Sequence, residues 1–294
     1  MIEEEGIMAG TPPVRRRLLG AALRRYREAL GYGLEDAARV LECDRSKISR
    51  IETGQRGIRV KELRELLAEY GVPEEEQAAL IAIAHRAPQH GWWEEYRDVL
   101  PDAAQDYVVM EAAASEILVH EPSAVPDLLQ TAEYARAVAD ADPVLTTEDQ
   151  RTRAIEVKLN RQRIVLEERR PRFDAVLGEG ILHQLVGDGE VMRAQLATLA
   201  AIADEGEDPD AAVTLRVLPF AAGAYAAAGY GAMTILRFAE TPSLAVIHLS
   251  ALSGGVSIDG QENVTRYTRA FAQLRSAALS PAVSARFLQK LARE

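Results

Sequence analysis

Residues 34–57 read LEDAARVLECDRSKISRIETGQRG, and this stretch predicts two short helices separated by a tight turn. The first helix has one apolar stripe at the spacing i, i+3, i+4 and i+7, formed by Leu34, Ala37, Ala38 and Leu41. That helix stops at Glu42-Cys43-Asp44, where Asp44 is a good N-cap for the second helix because its carboxylate accepts hydrogen bonds from unpaired backbone amides. Gly54 is expected to end the second helix.

The second helix has two contrasting faces, because successive side chains are rotated by about 100°. Ile48 and Ile51 point inward. The outward and flanking positions carry only cations and hydroxyl groups, and they are Arg45, Ser46, Lys47, Ser49, Arg50 and Thr53. Such a face suits the major groove of DNA, where arginine reads guanine and serine adapts to any base. The alternative is a helical hairpin of an ordinary bundle, with Arg45 and Arg50 as solvated charges.

Flanking helices complete a small domain around this pair. The first helix of the chain is expected to bury Leu19, Leu23, Tyr26 and Leu30. The fourth is expected to bury Leu63, Leu66, Leu67 and Tyr70. Gly71 then ends the fourth helix and Pro73 begins a fifth. The prediction is an all-α, five-helix DNA-binding domain over residues 14–86, preceded by a flexible tail over residues 1–13.

The segment DRSKISRIETG, preceded by LEDAARVL and followed by a leucine-rich helix, resembles the helix-turn-helix of the lambda- and P22-type repressors, the XRE family. The base-reading positions implied by this resemblance are Arg45, Ser46 and Arg50, with Ser49 adjacent. The implied neighbours of the DNA backbone are Lys47 and Thr53, and Arg56 in the following loop is expected to reach a phosphate. The resemblance also implies an ion pair between Arg27 and Glu52.

The charge of the chain is unevenly distributed. The formal net charge is −11, yet residues 14–72 carry 14 Lys and Arg against 9 Asp and Glu, a net of +5 that leaves −16 for the remainder. This asymmetry is typical of a DNA-binding module joined to an acidic domain. The single cysteine excludes a disulfide framework within the chain and favours a reducing cytoplasm. No apolar run approaches a membrane span, so no membrane partner is expected.

The remainder, residues 87–294, predicts an α+β domain with a helical part over residues 87–170 and a sheet-containing part over residues 171–294. Pro88, Gly91 and Pro101 mark the boundary, and residues 111–118 look helical. Five short β-branched segments follow: RFDAVLG, AVTLRVLPF, AMTILRF, SLAVIHL and GGVSID. Four of them are close in sequence, which predicts a mostly antiparallel sheet.

Several segments of this domain resemble the domain of uncharacterised function found behind XRE-type helix-turn-helix domains in actinobacterial regulators, including developmental and antitoxin-like ones. These segments are GWWEEY, EPSAVPDLLQTAEYARA, LPFAAGA, MTILRF and ALSPA. The resemblance implies a small acidic partner protein encoded nearby. Asp127 stands where the family usually has glycine, and Tyr225 where it often has histidine.

No motif in the chain predicts catalysis, a metal site or a cofactor. The histidines lack metal-ligand spacing, and they are His85, His90, His120, His183 and His248. The glycine-rich stretch AAGAYAAAGYGAM contains neither GxxxxGK[ST] nor a clean GxGxxG, the two patterns typical of phosphate-binding loops. It is expected to be a hairpin loop. The expectation is a protein that is not an enzyme, without a metal and without a cofactor.

These features favour a cytoplasmic transcription regulator that binds as a homodimer to an inverted-repeat operator. The second domain would serve as sensor and dimer platform. The residues expected to line a pocket for a small-molecule effector are Trp92, Trp93, Tyr225 and Tyr230. The alternative is an antitoxin-like interaction module that holds a small partner protein and binds DNA for autoregulation. A stoichiometric protein recovered by pull-down from native extract would distinguish this alternative.

Overall fold

In the computed structural model the chain forms two compact units. The first carries the helices up to His85, and the second begins at Trp92. The structure describes residues 13–85, 92–208, 210–225, 229, 231–239, 245–251, 255–258 and 260–294. Within these ranges no helix is both long and apolar enough to cross a membrane. Of the tail expected over residues 1–13, only Pro13 lies within them, as the first residue of a helix.

Five helices fill the described part of the first unit. They are α1 (Pro13–Ala29), α2 (Leu34–Val40), α3 (Arg45–Glu52), α4 (Val60–Glu69) and α5 (Glu74–His85). Their shared core is apolar and almost fully buried, and it includes Leu23, Ile48, Leu63, Leu66 and Leu67. Leu30, expected in the buried stripe of α1, is instead 45% exposed, because α1 ends at Ala29 and Leu30 lies in the following turn.

The backbones of α1 and α3 meet with no side chain between them. A Cβ atom on Gly20 would lie 2.4 Å from the carbonyl oxygen of Ile51 and 2.6 Å from that of Glu52, which is closer than Cβ atoms approach oxygen in proteins. Gly54, with φ +73°, lies against Arg17 in the same manner. The two glycines therefore allow α1 to set the orientation of α3.

The second unit contains one sheet, of order β3-β2-β1-β4-β5-β6. Its strands are β1 (Glu116–Glu121), β2 (Arg172–Gly178), β3 (Val213–Leu218), β4 (Met233–Arg237), β5 (Ala245–Leu249) and β6 (Val256–Ile258). Its α-helices are α6 (Asp102–Ala113), α7 (Ala132–Ala141), α8 (Glu148–Gln162), α9 (Gly180–His183), α10 (Gly189–Glu205), α11 (Gln261–Ala277) and α12 (Pro281–Leu291). A π-helical segment, Arg163–Arg169, continues α8.

The position of β1 corrects two expectations. Residues 111–118 are not one helix, since α6 ends at Ala113 and a strand begins at Glu116, and residues 87–170 are therefore not wholly helical. β1 is central, between β2 and β4, and its side chains from Ile117 to His120 are buried. A short apolar run that is buried on both faces has no alternating pattern, so periodicity cannot separate it from a buried helix.

The sheet is mixed rather than mostly antiparallel. Among the described strands, β1 pairs with β2 and β2 with β3 in parallel, whereas β1–β4, β4–β5 and β5–β6 are antiparallel. The helices α7 and α8 lie between β1 and β2, and α9 and α10 lie between β2 and β3. Such helical crossovers return the chain to the start of the next strand, which makes the pairing parallel.

Helices cover the two faces of the sheet differently. One face packs against α11, where Phe271 and Leu274 are fully buried. The opposite face carries Val119, Thr234 and His248 side by side across β1, β4 and β5. These three side chains border a cavity.

Candidate functional site

The turn between α2 and α3 spans residues 41–44. Glu42 has a left-handed backbone with φ +47°, which costs energy for a residue other than glycine. The amide of Cys43 donates to the carbonyl of Ala38 at 2.9 Å. Asp44 caps α3, because its Oδ1 accepts from the amide of Ser46 at 2.7 Å. Hydrogen bonds from Ser46 also lower the pKa of the Asp44 carboxyl.

The buried side of α3 combines two isoleucines with one charged group. Ile48 and Ile51 are 1% and 2% exposed, and Glu52 is buried beside them. Arg27 of α1 pairs with Glu52 as the resemblance implies: Nε donates to Oε1 at 2.7 Å and Nη2 to Oε2 at 2.8 Å. Nη1 of Arg27 donates to the carbonyl of Tyr32 at 2.6 Å. Hydrogen bonds to Glu52 raise the pKa of Arg27.

The other side of α3 faces solvent. Its exposed residues, together with Arg56 in the loop that follows, are Arg45, Ser46, Arg50 and Thr53, and Ser49 is half-buried. Nη1 of Arg45 lies 3.0 Å from Oε1 of the exposed Glu35. Nε of Arg50 donates to the carbonyl of Ser46 at 3.2 Å. The hydroxyl of Thr53 donates to the carbonyl of Ser49 at 2.9 Å, so this hydroxyl is engaged by its own helix.

Lys47 differs from its neighbours on α3. Its Nζ lies 2.7 Å from Oε1 of Glu62 on α4, and both side chains are about one-fifth exposed. Oε2 of Glu62 also accepts from the amide of Arg59 at 3.3 Å. Lys47 thus connects α3 to the start of α4, and a contact from Lys47 to a ligand would compete with this ion pair.

Three of the four aromatic residues expected to line an effector pocket lie within the described residues. Trp92 and Trp93 meet edge to face, with ring centroids 6.2 Å apart, in an apolar cluster that includes Tyr96. Tyr225 packs on the sheet face that α11 covers, and Tyr230 lies outside the described residues. Trp92, Trp93 and Tyr225 are not among the residues that line the cavity described below.

The cavity has a volume of about 620 Å³ and lies between the sheet and the helices α6, α7 and α8. No sequence motif predicts the polar residues that line this cavity. The α8 helix supplies Val157 and Arg161, which lie one turn apart and are both buried, whereas Leu159 between them is 39% exposed. A buried stripe that includes an arginine is invisible to a search for apolar periodicity.

An ion-pair network forms one wall of the cavity. Nε and Nη2 of Arg161 donate to the two carboxylate oxygens of Glu111 at 2.8 and 2.9 Å. Nη1 of Arg161 donates to Oδ2 of Asp127 at 2.8 Å, and Nζ of Lys158 lies 3.1 Å from Oδ1 of the same residue. Lys158 also donates to Oε1 of Gln130 at 3.2 Å. Both cations of this wall are therefore paired.

Three titratable groups of the cavity are shifted in different directions. Burial alone would raise the pKa of Asp127, but Lys158 and Arg161 lower it to about 2. Burial, and secondly Arg161, lowers the pKa of His248 to about 4, so its imidazole is neutral at pH 7. Burial, and secondly Asp127, raises the pKa of Glu121 to about 7.

Asp127, which replaces the usual glycine of the resembled family, begins the short 3₁₀ helix Asp127–Leu129. Its backbone is not left-handed, since Glu42 and Arg170 are the described non-glycine residues with positive φ. The carboxylate instead holds the two cations of α8. In the described ranges no three metal-binding side chains come together.

Comparison with protein families matches both units. Residues 18–80 match the family described as a helix-turn-helix domain, so the first unit belongs to the helix-turn-helix class. Residues 104–290 match the family described as Domain of unknown function (DUF5753). Because this match spans more than half of the 294 residues, the chain belongs to the DUF5753 family. No curated protein and no solved structure matches the chain.

Proposed function

We propose that the chain is a sequence-specific DNA-binding transcription regulator of the XRE type that acts in the cytoplasm. This proposal rests on the contrast between the buried side and the exposed side of α3. Ile48, Ile51 and Glu52 hold its inner side, while its outer side presents arginine and hydroxyl groups to solvent. A helix of this kind, following a tight turn, fits the major groove with its first residues toward the base edges.

The roles proposed within α3 follow the exposure of its side chains. Arg45, Ser46, Ser49 and Arg50 are proposed to contact bases. Thr53 and Arg56 are proposed to contact the sugar–phosphate backbone. Lys47 is proposed as a phosphate contact that forms when the ion pair with Glu62 opens, since phosphate competes well for an ammonium group.

We further propose that the regulator is a homodimer on an inverted-repeat operator, without catalytic activity or a bound cofactor. Two helix-turn-helix units related by two-fold symmetry place their recognition helices about 34 Å apart, or a multiple of that distance. The net charge of +5 over residues 14–72 supplies the attraction for phosphate. The acidic remainder of the chain limits adhesion to random DNA.

The test is operator selection followed by binding measurements on the selected duplex and on its scrambled version across a potassium chloride titration. Wild type is expected to prefer the selected duplex at every salt concentration. Arg50→Ala is expected to cost about 1–3 kcal/mol on the selected duplex and to relax preference at one base pair. Arg286→Ala, which removes an exposed arginine from α12, is the matched control and should retain wild-type affinity.

Two outcomes would contradict the proposal. Equal affinity of wild type for the selected and scrambled duplexes would remove sequence-specific binding. An equal loss on both duplexes in Arg50→Ala would assign this guanidinium to a phosphate rather than to a base.

A further inference from the structure

The cavity of the second unit lies where the strand pairing of the sheet changes from parallel to antiparallel. β1 ends at Glu121, with parallel β2 on one side and antiparallel β4 on the other. The residues that follow β1, from Ser123 to Leu128, form part of the cavity wall. In open sheets with helical crossovers, the carboxyl end of a strand at such a change of connection is the usual place for a ligand. A volume of about 620 Å³ is within the range of small-molecule sites.

The charges around the cavity favour a cation. Among the described residues, four carboxylates line it, Glu111, Glu121, Asp127 and Asp142, against two cations, Lys158 and Arg161, which leaves these six groups with a formal charge of −2 when all are ionised. The two cations are already bonded to carboxylates of the wall. His248 adds no charge at pH 7. An anionic ligand would therefore meet repulsion, and no described lining residue offers it an unpaired cation.

Glu121 is the carboxylate available to such a ligand. Within the described part of the chain, no side chain or amide donates a hydrogen bond to it, and no cation pairs with it. It lies at the end of β1 and points to the same side of the sheet as Val119, which also lines the cavity. A partly buried carboxylate without a donor is costly, and an ammonium group placed beside it would remove that cost.

The remaining walls are apolar and aromatic. Val119, Val157 and Phe173 contribute apolar surface. Tyr107 stacks on the neutral imidazole of His248 with ring centroids 4.1 Å apart. A planar or apolar ligand body fits between these walls, where few polar groups would be left unpaired.

We propose that this cavity binds a small organic cation, an amine with an apolar or aromatic body, whose ammonium group pairs with the carboxylate of Glu121. Its role as an effector rests on the proposed DNA-binding function. The binding itself does not, and it is measured in the absence of DNA.

The experiment is isothermal titration of the full chain at about pH 8, where Glu121 is mostly ionised. The probes are two series that differ in one group, with phenethylamine against 2-phenylethanol, and tryptamine against tryptophol and indole-3-propionate. Each amine is expected to bind about tenfold or more tightly than its alcohol, with the carboxylate weakest. Glu121→Gln should abolish the preference for amines. Glu133→Gln, which makes the same change at an exposed position of α7, should retain it.

The proposal is overturned if neither amine binds at about 10 mM, if the alcohols bind as well as the amines, or if Glu121→Gln keeps the preference. Tryptophan fluorescence verifies that Glu121→Gln is folded, since both tryptophans, Trp92 and Trp93, belong to the second unit. A failure here leaves operator binding untouched, and a failure of operator binding leaves the amine titration untouched.

Discussion

Arg27–Glu52 in the first unit and Arg161–Glu111 in the second are both buried, bidentate arginine–glutamate pairs, with N–O distances between 2.7 and 2.9 Å. Their surroundings differ. Arg27–Glu52 lies between packed helices, where Arg27 has one further hydrogen bond, to the carbonyl of Tyr32. Arg161–Glu111 borders a cavity and is extended by Asp127.

The difference shows that one kind of interaction serves two purposes. A pair enclosed by packed helices fixes the angle between them, because moving the helices apart would leave two buried charges without a partner. In the second unit, Arg161 is already bonded to Glu111 and Asp127, so a ligand in the cavity cannot pair with its guanidinium. Among the described carboxylates of the cavity, Glu121 has neither a cation nor a hydrogen-bond donor. The first arrangement gives rigidity to α3, and the second gives the cavity its selectivity for charge.

The largest expected effect is a difference in stability when the glutamate of each pair is removed. Glu52→Ala should lower the free energy of unfolding of the first unit by about 3–5 kcal/mol, because Arg27 is left buried with a carbonyl and the exposed Glu28. Glu111→Ala should cost the second unit less, about 2 kcal/mol, since Arg161 keeps Asp127 and gains water from the cavity. Native-state hydrogen exchange on the full chain measures both units at once. A greater loss of unfolding free energy in Glu111→Ala than in Glu52→Ala would contradict this explanation.

Between pH 4.5 and 7, Glu121 should make the stability of the second unit depend on pH. The folded-state pKa of Glu121 is raised from its ordinary 4.5 to about 7, so the folded unit retains a proton that the unfolded chain releases between these values. Its stability is therefore expected to fall as pH rises through this window. Glu121→Gln should remove that loss and be more stable than wild type by about 3 kcal/mol near pH 8, with little difference near pH 4.5.

Tryptophan fluorescence during urea unfolding at several pH values measures this effect. The other titratable groups of the cavity are Tyr107, Glu111, Asp127, Asp142, Lys158, Arg161 and His248. Asp127 and His248 titrate at about 2 and about 4, below the window. Parallel pH dependence in wild type and variant would show that Glu121 is not the group responsible.

The smallest expected effect is one that the two units should share. Each holds one described non-glycine residue with a left-handed backbone, Glu42 with φ +47° and Arg170 with φ +48°. Glu42→Gly and Arg170→Gly should each stabilise their unit by about 0.5–1 kcal/mol, because glycine adopts this conformation without strain. Glu65→Gly, in the interior of α4, is the control and should destabilise by about 1 kcal/mol. Destabilisation by all three glycines would refute the argument from φ.

Much of the first unit was predictable because its information is local. The cap at Asp44, the inward isoleucines of α3 and the exposed arginines all follow from residues within one or two helical turns of each other. The Arg27–Glu52 pair, 25 residues apart, came only from the resemblance. The lack of a side chain at Gly20, which allows α1 to reach α3, was not recognised in the sequence.

The second unit was less predictable because its decisive contacts join distant residues. Arg161 meets Glu111 across 50 residues, and β1 pairs with β4 across more than a hundred. The sequence predicts a helix over residues 111–118 and a mostly antiparallel sheet, and both predictions fail because strand partners are chosen by tertiary packing. The residues that line the cavity could not be predicted for the same reason, since the positions of side chains relative to the sheet depend on its connections.

By itself, the amino-acid sequence determined the helical first unit, the polar outer face of α3, the uneven charge of the chain and the change from helix to strand patterns near residue 172. Periodicity and caps specify these features within a few residues. Only the tertiary structure decided where the cavity lies, that Arg161 is buried and paired, and that Glu121 has no hydrogen-bond donor or cation among the described residues. Burial and the pairing of charges depend on which distant side chains the fold brings together, and no local pattern records that.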